Sequence, residues 1–142
     1  MFIDLDHFKL VYDTGGHAAG DALLKRVAVA IRGALGPEDI VARLGGDEFA
    51  VILKSGAGAR IAARSIIDAI RGLQFTWDGR PHAIDASIGV APIRSGEVDE
   101  IIARADAACY AAKAAGRGCV SVAPDDSGSK GQAEPPPLAA AS

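Results

Sequence analysis

Apolar positions along the first 122 residues alternate between short runs and helical repeats, with glycine-rich turns between them. Phe2 to Leu5 reads as a strand that opens the chain, followed by a short helical turn at Asp6-His7-Phe8-Lys9. Tyr12 to Gly20 carries Gly15-Gly16 and Gly20 and reads as turn-rich. From about Asp21 to Leu35, Leu23, Val27, Ile31 and Leu35 recur every fourth residue, while Lys25, Arg26 and Arg32 fall elsewhere. That is an amphipathic helix, stopped by Gly36-Pro37. Ile40 to Leu44 and Phe49 to Leu53 flank Gly45-Gly46, and neither face of the second run is polar. They predict two buried strands joined by a tight glycine turn, set deep in a sheet. A second helix over Ala59 to Arg71 buries Ala63, Ile66, Ile67 and Ile70. Gln74 to Trp77 and His82 to Val90 predict a strand pair across Asp78-Gly79. A third helix over Val98 to Ala115 turns Ile101, Ile102, Ala105, Cys109 and Ala112 inward and ends at Gly116. Cys119 to Val122 reads as a last strand.

This succession makes residues 1–122 one α+β domain, an antiparallel sheet with helices packed on it. From Ala123 the composition turns to Asp, Ser, Gly, Lys, Gln and a Pro135-Pro136-Pro137 run. Such a segment has nothing to pack, and residues 123–142 are expected to be a disordered tail.

Composition narrows the class. The 142 residues suffice for one domain, and 49% hydrophobic with 23% charged describes a soluble protein with a core built on Ala, Val and Ile. A net charge of −3 gives no broad footprint for a nucleic acid polymer or an anionic membrane. No apolar run approaches the ~20 residues of a membrane span. The opening Met-Phe-Ile-Asp-Leu-Asp lacks the basic start of a signal peptide. Cys109 and Cys119 have no metal-ligand spacing and read as buried thiols, so a cytoplasmic location is expected.

Candidate chemistry gathers at two places. Asp47 and Glu48 follow the Gly45-Gly46 turn, where glycine lets backbone approach a ligand and carboxylates suit a hard cation such as magnesium. Ordinary surface acids on an exposed turn are an equal alternative from the hairpin alone. Asp4 ends the first strand, and the helix start after it, with Lys9, favours an anion. Lys113 and Arg117 flank Gly116, positions that the helix dipole alone would also favour. Asp21 has a similar plain explanation at a helix start, and His82 reads as a surface strand residue.

Taken together, Phe2-Ile-Asp-Leu-Asp-His-Phe-Lys9, Asp13-Thr14, Gly16-His17-Ala-Ala-Gly20-Asp21, Arg43 to Phe49, Ser87-Ile-Gly-Val-Ala91, and Ala105-Asp106 through Tyr110, Lys113 and Arg117 resemble the GGDEF family, the diguanylate cyclases. The resemblance runs from residue 2 to about 122. It implies a fold similar to class III nucleotide cyclase catalytic domains, with a ferredoxin-like βααββαβ core. It also implies condensation of two GTP into cyclic di-GMP and two pyrophosphates, in bacterial second-messenger signalling. Each subunit of a homodimer would hold one GTP. By similarity Asp4, the Leu5 carbonyl, Asp47 and Glu48 bind magnesium or manganese, with two ions expected per site. Asp47 and Glu48 are the catalytic candidates, Glu48 as general base or further metal ligand. Phe8, Lys9, Tyr12, Asp21, Lys113 and Arg117 are the candidate GTP-binding residues.

Several positions depart from the family pattern. Tyr12 stands where the family has a guanine-reading Asn, and loss of a paired base contact costs about 1–3 kcal/mol. Gly15 replaces an aromatic residue, and Gly118 an Asn. Gly36 replaces the Arg of the product-inhibition motif and only Asp39 remains, so no allosteric inhibition through that site is expected. Family domains begin further upstream, so the chain is expected to be truncated before its first helices, with apolar sheet surface exposed as a result. The alternative function is a catalytically silent GGDEF module that acts by GTP binding or protein interaction.

Overall fold

A computed structural model describes residues 1–125; the expected disordered tail lies almost wholly outside them. Strand β1 (Phe2–Asp6) runs into helix α1 (Phe8–Gly33), followed by the hairpin β2 (Ile40–Gly45) and β3 (Glu48–Ile52). Helix α2 (Ala59–Arg71) leads to a small ribbon, β4 (Phe75–Trp77) and β5 (Arg80–His82). Strand β6 (Asp85–Val90), helix α3 (Val98–Ala114) and strand β7 (Val120–Val122) complete the described chain. The main sheet has the order β2-β3-β1-β6-β7, antiparallel except for the β6–β7 pair. Its first six elements outside the ribbon form the ferredoxin-like core, with β7 added parallel at one edge after the α3 crossover.

Residue alternation along β1 sorts the layers. Ile3 and Leu5 join Phe49, Val51, Ala86, Ile88 and Val90 on one face, where the apolar sides of α1 and α2 cover them. Leu23, Val27 and Ile31 of α1 and Ile66, Ile67 and Ile70 of α2 are fully buried there. Phe2 lies on the opposite face, packed with Ala105 and Cys109 of α3. Asp4 and Asp6 share that second face by register, since Phe2, Asp4 and Asp6 pair with Gly89, Ser87 and Asp85 of β6.

Four expectations need correction. Helix α1 begins at Phe8 rather than Asp21, because the glycine stretch is helical apart from one break at Gly16 (φ 71, ψ −166). That backbone is accessible to glycine almost alone, so the chain kinks there and resumes. The β2–β3 hairpin is not set deep, because β2 is the sheet edge with Ile40 and Leu44 exposed and Ile52 of β3 half exposed. Helix α3 lies over β1, β6 and β7, which leaves the same face of β2 and β3 uncovered. The run from His82 to Val90 divides: β5 pairs only with β4, across Asp78 (φ 47) and Gly79 (φ 75), whereas β6 joins the main sheet. Finally Ile102 of α3 faces solvent and Ala108 takes a buried place, because only the 105–112 stretch of the helix sits on the sheet.

Both cysteines are free thiols. Burial pushes Cys109 up to about 12, with the Asp4 carboxylate as the next cause, and its S–H donates to the Ser87 carbonyl. Among the described residues, no helix is long and apolar enough to cross a membrane.

The close approach of α3 to β6 depends on Gly89. A Cβ there would stand 1.9 Å from the Ala105 carbonyl oxygen and 2.3 Å from the Cys109 nitrogen, both backbone atoms that cannot yield locally. Gly89→Ala is therefore expected to destabilise the domain by about 1–3 kcal/mol, read as a lower urea midpoint.

Candidate active site

The site is built where β1 and β3 end side by side. Asp4 pairs with Glu48, and the Leu5 amide donates to the Asp47 carbonyl at 3.2 Å. This ties the Gly45-Gly46 turn to the end of β1. The turn itself needs Gly46 in the left-handed region (φ 51), and Arg43 Nε closes it by donating to the Gly46 carbonyl at 2.9 Å. Arg43 thus braces the loop that presents Asp47.

Electrostatics register the crowding. Burial first, and then repulsion by Asp47, raises the Asp4 carboxyl above its ordinary range, and Glu48 adds to the rise. Lys113 opposes it, with Nζ 3.2 Å from Asp4 Oδ1. The cluster already draws one cation to itself. Lys113 also lies 3.9 Å from Asp6, and Arg117 Nε lies 4.0 Å from the same Asp6 oxygen. The N-terminus of α1 opens beside these groups with no side-chain cap and no acid in its first turn, which leaves its amides suited to an anion.

The donors are all hard oxygen, the chemistry that magnesium or manganese prefers. Among the described residues no three acidic, histidine or cysteine side chains form a cage for a metal by themselves. Magnesium in nucleotide sites is held by one or two carboxylates together with phosphate oxygens and water. Asp4, Asp47 and Glu48 with the Leu5 carbonyl fit that shared kind of site.

The remaining candidates are spread more widely. Asp21 lines a cleft of about 400 Å³ between α1 and the hairpin, together with Lys25, Arg43, Leu24, Val41 and Phe49. Lys9 is not brought to the carboxylates; it projects into solvent and pairs with Asp13 one helical turn away. Tyr12 shares a 2.7 Å hydrogen bond with His17 Nε2, and its ring lies edge-on to that imidazole and tilted against Phe8. Gly15 leaves room for Trp77 from the ribbon, since a Cβ there would be 2.8 Å from the indole. Asp39 spends both oxygens on backbone amides, those of Gly36 at 2.8 Å and Lys54 at 2.9 Å, and these bonds hold its carboxyl below the usual range.

One residue of this site was missed in the sequence. Asp6 looked like part of a turn, yet it is 1% exposed and bonded on every side. Its spacing of two from Asp4 on a strand was the available signal, since it puts both acids on one face.

Residues 1–119 match the family model described as "Diguanylate cyclase, GGDEF domain". The chain belongs to the GGDEF family. This GGDEF domain is 46% identical over 126 residues to the probable diguanylate cyclase DgcE of Escherichia coli K12, covering 86% of this chain and 11% of that protein. Among solved structures, the diguanylate cyclase SiaD of Pseudomonas aeruginosa, in complex with its activator SiaC, superimposes with a TM-score of 0.80 at 34% identity, over 86% of this chain and 48% of that one. The isolated GGDEF domain of TpbB (YfiN) from Pseudomonas aeruginosa gives 0.77 at 42% identity, over 87% and 74%. One relative at 38% identity, from Shewanella oneidensis, is named a cyclic di-GMP phosphodiesterase, and the GGDEF domain aligns with 15% of that protein. The chain spans 11% to 34% of the length of the curated relatives it matches.

The raised Asp4 pKa has a pH consequence. An acid raised by folding contributes stability that is complete below its ordinary value and lost as pH rises through the folded-state value. In metal-free protein the Asp4 contribution is thus fullest at acid pH and falls as pH rises through its raised folded-state value. Magnesium is expected to raise the melting temperature more at about pH 7.5 than at about pH 4.5. Asp4→Asn should reduce that difference, as differential scanning fluorimetry would show.

Proposed function

We propose that this GGDEF domain is the nucleotidyl-transfer part of a diguanylate cyclase, which joins two GTP molecules into cyclic di-GMP and releases two pyrophosphates. The observation that carries this reading is the meeting of Asp4 of β1, Glu48 of β3 and Asp47 of the turn before β3, with Lys113 at their edge. In each half-reaction a ribose 3′-oxygen forms a bond to an α-phosphorus of the other GTP. The bond from that phosphorus to the α–β bridging oxygen breaks, and its electron pair leaves with pyrophosphate. The hydroxyl proton must go to a base, and Glu48 is the candidate acceptor.

Asp4, the Leu5 carbonyl, Asp47 and Glu48 would hold magnesium or manganese, two ions per site. Bound there, such ions supply acidification of the attacking hydroxyl and charge stabilisation at the leaving group. Lys113, Arg117 and the first amides of α1 neutralise the triphosphate. The cleft beside Asp21 receives the base, with Phe8 and Tyr12 at the neighbouring turn of α1. One chain binds one GTP, so a homodimer is needed to bring two 3′-hydroxyls to two α-phosphates.

A second reading has one observation in its favour. The hydroxyl of Tyr12, which stands where the family reads guanine, is already engaged by His17. A domain that binds nucleotide without turning it over is the corresponding alternative.

Product analysis separates the two. Wild-type protein incubated with GTP and magnesium is expected to yield cyclic di-GMP by chromatography, and Asp47→Ala to yield none. GTP binding without product in wild type would favour the silent module instead. Replacing Tyr12 by Asn should restore a donor–acceptor pair and tighten GTP binding about tenfold by calorimetry. An unchanged or weaker affinity refutes that account of Tyr12.

A further inference from the structure

Asp6 is the most deeply buried acid described in the domain and has no role in the mechanism above. Its carboxylate accepts from the Ser87 hydroxyl at 2.9 and 3.0 Å and from the Gly118 amide at 2.9 Å. Lys113 Nζ and Arg117 Nε stand 3.9 and 4.0 Å from Oδ1. Removing a carboxylate from water is costly, and an apolar contact could join the same elements without that cost. The charge itself therefore calls for a use.

Gly118 is held through its carbonyl as well. Arg71, the last residue of α2, donates to the Gly118 carbonyl at 2.7 Å and forks onto Asp85 at 2.9 and 3.0 Å. Nearby Asp85 raises the Arg71 guanidinium pKa. A Cβ on Gly118 would stand 2.5 Å from both Arg71 and Asp85, so a larger residue would have to push this fork aside. Arg117 (φ 66) and Gly118 (φ 58) both sit in the left-handed region, which for arginine persists only where its surroundings impose it. Here the surroundings are two charge-assisted hydrogen bonds on one residue, with Asp6 on the Gly118 amide and Arg71 on the Gly118 carbonyl, so the peptide units on both sides of Gly118 are held.

We propose that Asp6 is a positioning residue for the triphosphate-binding cations. Through the Gly118 amide it fixes the backbone that carries Arg117. Through its charge it keeps Lys113 and Arg117 over the end of β1, while Arg71 braces the loop from behind. Lysine and arginine side chains lose considerable rotamer freedom when ordered, and aiming them in advance removes that loss from the binding step. This inference rests on the proposed reading of Lys113 and Arg117 as triphosphate ligands. It goes beyond it by assigning their aim to a buried acid and an α2 arginine that do not meet the nucleotide.

The test separates positioning from a passive staple. Asp6→Asn keeps an oxygen for the Gly118 amide and a partner for Ser87 but drops the charge. In ligand-free protein the Arg117 Nε–H resonance is expected to shift and broaden in Asp6→Asn, while the Gly118 amide keeps its exchange protection. With magnesium and GTP, KM should rise about tenfold with kcat within about twofold, and the loss should vanish in an Arg117→Ala, Lys113→Ala background. Arg71→Met, altered at a half-exposed helix end, should loosen Arg117 in the same NMR measurement even if Asp6→Asn does not fold. An unperturbed Arg117 Nε–H in either folded variant, or a loss that simply adds to that of the cation variants, overturns the proposal. A wild-type protein that shows the NMR coupling but binds no magnesium–GTP overturns the functional reading and leaves the positioning of the two side chains standing.

Discussion

The register of β1 between β3 and β6 is the constraint on which the site depends. Successive residues of a strand point to opposite faces, so Ile3 and Leu5 enter the core under α1 and α2 while Asp4 and Asp6 emerge beneath α3. A slip of one residue would drive two carboxylates into an apolar layer and turn two core residues outward, a strongly unfavourable exchange. The hydrophobic effect that packs Ile3 and Leu5 therefore also aims the acids. Pairing of Asp4 with Glu48, with the Gly45-Gly46 turn braced by Arg43, then delivers the second set of carboxylates.

Bringing like charges together at a strand end costs stability, and the domain offsets part of it with Lys113, which both hydrogen-bonds and attracts Asp4. Asp4 and Asp6, two residues apart, meet different conditions. Asp4 is partly open to solvent, feels Asp47 and Glu48, and pairs with Lys113. Asp6 is enclosed and saturated by Ser87 and Gly118, which suits a fixed charge. Similar chemistry at neighbouring positions thus meets two different settings, one open to solvent and one enclosed.

Departures from the family pattern are absorbed locally. Gly15 admits Trp77 from the β4–β5 ribbon, so an aromatic ring reaches this loop from a different element. Tyr12 turns its hydroxyl to His17 on the next turn of the kinked helix. Gly118 makes space for the Arg71–Asp85 fork. Asp39, left without its arginine partner, caps backbone amides and holds the connection from α1 to β2 against the end of β3.

By itself the sequence determined the strands and helices with strong periodicity and the family, and it singled out Asp4, Asp47 and Glu48, which the fold brings together. Helix α2 and its four buried residues fell where the spacing put them, because one amphipathic repeat with clear ends needs only local information. Tertiary structure decided which faces are covered. An apolar run such as Ile40 to Leu44 reads the same whether it lies in the middle of a sheet or at its edge, since burial belongs to the neighbour and not to the strand. The helical course of α1 through Gly15, the division of β5 from β6, and the enclosure of Asp6 were likewise hidden. Each depends on contacts between residues far apart in the chain, and the partners of Asp6, eighty-one and 112 positions away, are the extreme case.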